Sequence, residues 1–95
     1  MIQSFFDKAT ADIFAGKKTK ANRAAHAIWS VARRKLGYLD AATRLQDLGS
    51  PPGNALEKLK HARVDQYSIR INDQYRLCFT WTEAGPARVE FTDYH

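Results

Sequence analysis

From Tyr67 onward the hydrophobic residues recur at every second position. Tyr67, Ile69 and Ile71 fall on one side of an extended segment, with Ser68 and Arg70 on the other. Asn72-Asp73 gives a turn, and Tyr75, Leu77, Phe79 and Trp81 resume the alternation with Arg76, Cys78 and Thr80 opposite. Glu83-Ala84-Gly85-Pro86 is a second turn signal, after which Val89 and Phe91 begin a third run. A period of two over short runs joined by tight turns specifies an antiparallel meander with one apolar face. That face has to be covered by something else in the chain.

The cover reads as helical. Ala21, Ala25, Ile28, Ala32, Leu36 and Leu39 recur at steps of three and four, which predicts one helix with a single apolar stripe. Asp7 to Phe14 reads as a shorter helix ended by Gly16, and Ala41 to Leu48 as another, with Asp40 as its N-cap. Ile2 to Phe6 is short and apolar and is expected to form a first strand. Lys17-Lys18-Thr19-Lys20 is a charged connector, expected to be mobile, and Ser50-Pro51-Pro52-Gly53-Asn54 breaks the helical pattern. The expected fold is α+β. An N-terminal strand and two helices pack on one face of a small antiparallel sheet, as a single domain over residues 1–95. A chain of 95 residues has no room for a second core, and a hydrophobic content of 44% argues against disorder.

Composition narrows the chemistry. One cysteine, Cys78, forms no internal disulfide, and with His26, His61 and His95 it fits no zinc-ligand spacing. No glycine-rich phosphate loop is present, so no cofactor is expected. There is no apolar run of the roughly 18 residues a membrane span needs, and the opening Met1-Ile2-Gln3-Ser4-Phe5-Phe6-Asp7 lacks the pattern of a signal peptide. A cytoplasmic protein with no membrane partner is expected. The net charge is +5, unevenly placed. Residues 1–39 hold eight Lys and Arg against two Asp, whereas residues 40–95 hold seven against eight acids. A basic half beside a balanced half suggests a polyanionic or acidic partner.

The polar side of the meander carries Arg70 and Arg76. Lys58, Lys60 and Arg63 lie just upstream, and Asp93-Tyr94-His95 ends the last run. Cations, a phenol and an imidazole within reach of one surface make a phosphate- and base-binding site. The same residues admit a plainer arrangement, in which Arg76 pairs with an acid, Tyr94 packs and His95 frays. His26 is expected to pack or face solvent, and Cys78 to be a small packed residue with no catalytic role.

Several stretches resemble a known family. They are Ser50 to Asn54, Leu56-Glu57-Lys58-Leu59, Tyr67 through Phe79 with its Arg70-Ile71-Asn72-Asp73-Gln74-Tyr75-Arg76 centre, and the terminal Asp93-Tyr94-His95. The opening Met1 to Phe5 and the Leu36 to Leu48 segment fit as well. Together they resemble the HigB branch of the RelE-type toxins of bacterial type II toxin–antitoxin systems. The resemblance implies a metal-independent endoribonuclease that binds the 70S ribosome through 16S rRNA and cuts mRNA in the A site. It also implies a HigA-like helix-turn-helix antitoxin, with operator DNA bound only through that partner.

Metal-free RNA cleavage uses the substrate's 2′-OH as nucleophile. It needs a base for that proton, cations for the phosphate charge and an acid for the leaving 5′-oxygen. His95, with an ordinary pKa of about 6.5, suits proton transfer. Arg76 suits phosphate clamping, and the family places a functional arginine there. Lys60 corresponds to a family lysine, Tyr94 stacks on a base or orients the phosphate, and Asp93 fixes a neighbouring group. Some relatives carry histidine where this chain has Glu57, a weaker base in a basic site, so slower cleavage is expected. Arg33, Arg34, Lys58, Arg63 and Arg70 are expected to bind RNA or the ribosome. The competing reading is a non-catalytic basic module that binds RNA or protein through the same cationic face.

Overall fold

The computed structural model describes residues 1–94. Helix α1 spans Lys8–Phe14. Asp7 caps it, accepting from the Thr10 N–H at 2.9 Å. Gly16, at φ +81°, ends it as expected. Its N–H bonds to the Ile13 carbonyl and the Lys17 N–H to the Asp12 carbonyl, the two bonds of a Schellman cap.

The stripe expected from Ala21 becomes helical in two stages. A 3₁₀ segment, Arg23–Ile28, leads into α2, Trp29–Ala41. The helix starts late because Asn22 is committed elsewhere. Its side-chain oxygen accepts from the Thr19 N–H and faces His26 Nε2, both at 2.8 Å, and its amide donates to the Lys17 carbonyl at 2.9 Å. Those bonds fold the lysine-rich connector back against α1 and hold residue 22 out of helical register. Beyond it the stripe holds: Ala25, Ala32, Leu36 and Leu39 are fully buried.

The third helix expected from Ala41 is displaced. Helix α2 runs through Ala41, and the next turn is a 3₁₀ segment, Leu45–Gly49. Asp40 caps nothing there, since its carboxylate accepts from the Ile2 N–H at 3.0 Å. Asp47 replaces it. Its carboxylate takes the Arg44 and Thr43 N–H groups and is held below the ordinary carboxylate pKa by them.

Four antiparallel strands form one sheet in sequential order: β1 Glu57–Lys58, β2 Tyr67–Arg70, β3 Tyr75–Thr82 and β4 Gly85–Asp93. The expected meander is β2 to β4, and β1 adds a two-residue edge. The expected N-terminal strand is reduced to one parallel bridge, Phe5 to Val89, with bonds from Gln3 N–H to the Pro86 carbonyl and Phe6 N–H to the Val89 carbonyl. Longer pairing is interrupted by a bulge in β4: Cys78 pairs with Glu90 but Thr80 with Ala87, and Arg88 sits at φ +53°.

Ile69, Leu77, Phe79 and Val89 face Ile13, Leu36, Leu39 and Leu48 in one buried cluster. Each such side chain contributes roughly 1.5–3 kcal/mol by leaving water, and Leu36→Ala would cost about 2–5 kcal/mol. The architecture is α+β, with both helices on one side of the sheet. Among the described residues no helix is long and apolar enough to cross a membrane.

Candidate functional site

Register decides which side chains share the face away from the helices. Cross-strand partners lie on the same side. Glu57, Ser68, Cys78 and Glu90 therefore form one row, and Arg70, Arg76 and Thr92 the next. Sequence alternation places Arg70 and Arg76 on this face, but not as a bare surface. Ser68 and Cys78 are fully buried beneath it.

Two arginines directly opposite each other repel. Here they diverge. Arg70 turns to the carboxylate of Asp73. Arg76 turns across the sheet, donating from Nε to Ser68 Oγ at 2.7 Å and from Nη2 to the Ala55 carbonyl at 2.6 Å. Ala55 sits in the left-handed region, φ +45°. The turn before it is set by Asn54, whose amide donates to the Leu48 and Ser50 carbonyls and whose oxygen accepts from Lys35 Nζ at 2.6 Å. Lys35 is only 5% exposed. Burial first, and then the charges of Arg34 and Arg70, lower its pKa. The guanidinium of Arg76 is thus held by a hydroxyl, a strained carbonyl and, behind them, a buried lysine–asparagine pair.

The connection from β1 to β2 forms the other wall. Lys60 is exposed at its start, and its carbonyl accepts from the Arg63 N–H at 3.3 Å. Arg63 Nη1 reaches Gln66 Oε1 at 2.9 Å and Glu90 Oε1 at 3.1 Å, with side chains 29% and 16% exposed in the ion pair. Its guanidinium carbon lies 5.8 Å from the centre of the Tyr94 ring. Below it, burial pushes the Cys78 thiol up to about 11, which suits a packed residue rather than a nucleophile.

The face therefore gathers Arg76, Arg70, Arg63 and Tyr94, with Glu57 at the exposed edge of the Ser68 row. Lys58 pairs with Tyr67 and so belongs to the opposite side at the sheet edge. Asp93 pairs with Tyr75, also on the helix side, and accepts from Gln74 Nε2 at 3.0 Å. His95 lies outside the described residues. Arg34 is exposed on α2. Arg33 is occupied: its Nε and Nη2 donate to the Ile13 and Phe14 carbonyls at the end of α1. Sequence reasoning missed Glu90, Ser68 and the Lys35–Asn54 pair. Alternation alone puts Ser68 and Glu90 beside Arg76, but nothing local shows that they bond to arginines.

Comparison with known proteins identifies the family. A 62-residue stretch is 47% identical to Toxin HigB-1 of Vibrio cholerae, covering 65% of this chain and 64% of that protein. A 54-residue stretch is 43% identical to an uncharacterized protein of Haemophilus influenzae, covering 57% of this chain and 54% of that one. The matched parts thus span less than two thirds of either relative. Residues 3–95, which include the whole sheet and both helices, match the family described as the RelE-like toxin of the type II toxin–antitoxin system HigB. With that match running through the Arg76 face and the α+β frame behind it, the chain belongs to the HigB-like toxins of the RelE type.

Proposed function

We propose that this chain is the toxin of a type II toxin–antitoxin system and acts as a ribosome-dependent endoribonuclease. It cuts translated mRNA in the A site and so inhibits translation and growth in the bacterial cytoplasm. The observation that carries this reading is the fixed Arg76 guanidinium, tied to Ser68 Oγ and the Ala55 carbonyl on the sheet face away from the helices. A planar cation held before substrate arrives stabilises a phosphorane without reorganising at the moment of reaction.

In this mechanism the 2′-OH attacks the adjacent phosphorus as a base removes its proton. The P–O5′ bond breaks, and an acid returns a proton to the 5′-oxygen. The products are a 2′,3′-cyclic phosphate and a 5′-hydroxyl. Arg76 holds the phosphate and Lys60 adds a second cation. Tyr94, whose ring rests against Arg63, stacks on or orients the substrate. His95 supplies the acid or base, Glu57 is the weaker partner in proton transfer, and Asp93 steadies the terminal segment from the far side of the strand. Arg34, with Lys58 and Arg70, contributes to docking on 16S rRNA. A helix-turn-helix antitoxin of the HigA kind restrains the toxin and carries the operator-binding function.

Mapping the 5′ ends of cleaved transcripts after brief expression tests the proposal. New 5′-hydroxyl ends should appear in translated messages and vanish when ribosomes are omitted in vitro. Growth inhibition that persists without any new ends would leave only the binding-module reading.

A further inference from the structure

A cleft of about 400 Å³ opens beside the Arg76 face and is lined by Arg63, Val64, Asp65, Gln66, Thr80 and Arg88. It continues the face already described. Arg63 belongs to both, pairing with Glu90 and lying against Tyr94 on one side while walling the cleft on the other. Thr80 follows Arg76 and Cys78 on the same side of β3. Four residue steps of strand take Arg76 to Thr80, about 13 Å. A single phosphate does not bridge that distance, but a polymer strand does.

Arg88 is the unusual member of the cleft. It occupies the β4 bulge at φ +53°, and its N–H is fastened to Ser4 Oγ at 2.9 Å. Bulges re-aim side chains and concentrate beside functional sites, and a left-handed non-glycine residue persists only where its surroundings hold it there. Its guanidinium carbon lies 5.9 Å from the centre of the Phe6 ring, and Phe6 is 54% exposed. Arg63 is neutralised by Glu90. Among the described residues no carboxylate pairs with Arg88.

We propose that this cleft is a subsite for single-stranded RNA flanking the cleaved bond, in which Arg88 takes a phosphate and Phe6 stacks a base. An exposed cation beside an exposed ring is how single strands are held without reading their sequence. The inference rests on the ribonuclease reading, because that reading brings a strand across Arg76. The bulge then serves to turn Arg88 toward the path of the strand, and the contact adds affinity and alignment rather than chemistry.

The test uses the full chain and two probes, a 2′-O-methyl hexauridylate, which lacks the attacking hydroxyl, and inorganic phosphate. Amide shifts on oligonucleotide titration should centre on Phe6, Gln66, Thr80 and Arg88. Arg88→Gly, which suits the left-handed backbone and keeps the fold, should weaken binding about tenfold and lower the log–log salt slope by about 0.7. Phe6→Ala should weaken it about tenfold with the slope unchanged. The proposal is overturned by absence of shifts at millimolar oligonucleotide or by shifts confined to another surface. It is equally overturned by phosphate binding as tightly as the hexamer, or by an acidic peptide displacing it from these residues. Cleavage of programmed ribosomes is read separately. If wild type leaves the message uncut while the cleft still titrates, the ribonuclease reading fails, and with it the placement beside a cleaved bond, while single-strand binding in the cleft stands. If Arg88→Gly binds and cuts like wild type, the subsite fails alone.

Discussion

Lys35 Nζ donates to Asn54 Oδ1 at 2.6 Å, joining the middle of α2 to the turn that precedes the sheet. Nineteen residues separate the pair, and both are buried. Through Ala55 the bond bears on Arg76, so the stability of the molecule and the geometry of its cationic face are linked.

Asn54→Ala should therefore destabilise the protein by about 3 kcal/mol, because it strands a buried ammonium and two carbonyls. Lys35→Met, which removes the charge, should cost only about 1–2 kcal/mol. The folded pKa of Lys35 lies below its ordinary value of 10.5. Between the two values the unfolded chain binds more protons, so stability rises with pH through that window. Chemical denaturation across the alkaline range should show the wild type gaining on Lys35→Met. A constant difference would contradict the burial argument.

Cys78 has the opposite sign. Its thiol is pushed from 9.0 to about 11 in the fold, so its contribution to stability is lost as pH rises through that interval. Two units of pKa leave about a hundredfold less thiolate, and burial slows access further. Iodoacetamide at pH 8 should label native protein at least about 100-fold more slowly than protein in denaturant. Comparable rates would mean that the thiol is not covered.

Arg76→Lys keeps the charge but loses the planar fork. Single-turnover cleavage on programmed ribosomes should fall about 100-fold, and loss of the bonds to Ser68 and Ala55 should lower stability by about 1–2 kcal/mol. Ser68→Ala removes only the Nε anchor and should cost about 1 kcal/mol in stability with a several-fold loss of rate. Equal rates for Arg76→Lys and wild type would remove Arg76 from the chemistry.

Adjacent arginines on α2 should separate cleanly. Arg33→Ala removes two donors from the end of α1 and should destabilise the fold by about 1.5 kcal/mol, visible in urea unfolding. Arg34→Glu should leave stability nearly unchanged and weaken ribosome binding, with a shallower dependence on salt. If Arg33→Ala lowers ribosome affinity at unchanged stability, its capping role is wrong.

Glu57→His places a neutral-range base at the exposed end of the Ser68 row. Single-turnover cleavage should accelerate about tenfold near neutral pH. No acceleration would show that position 57 does not limit proton transfer.

Much of the fold is written in the period of the side chains. Tyr67 to Phe91 alternate because one face is buried, and Ala25 to Leu39 repeat at helical spacing for the same reason. The pattern fails where long-range or irregular bonds decide. Asn22 delays a helix through its amide, and β1 is two exposed residues with no apolar signal. Asp40 is claimed by Ile2, thirty-eight positions away. The same division runs through the site. Arg76 and Tyr94 stand out by residue type and by family resemblance. The left-handed Ala55 that anchors Arg76 belongs to a residue type with no preference for that conformation.

The bridge between Phe5 and Val89 sets an order of events during synthesis. Ser4 and Arg88, which it also brings together, are 84 residues apart. At cellular elongation rates the first of them waits on the order of ten seconds for the second. Throughout that time β4 is missing, Glu90 has not reached Arg63, and no cationic face exists. On the proposed function, the capacity to act on a ribosome arises only once β4 has been made and has paired.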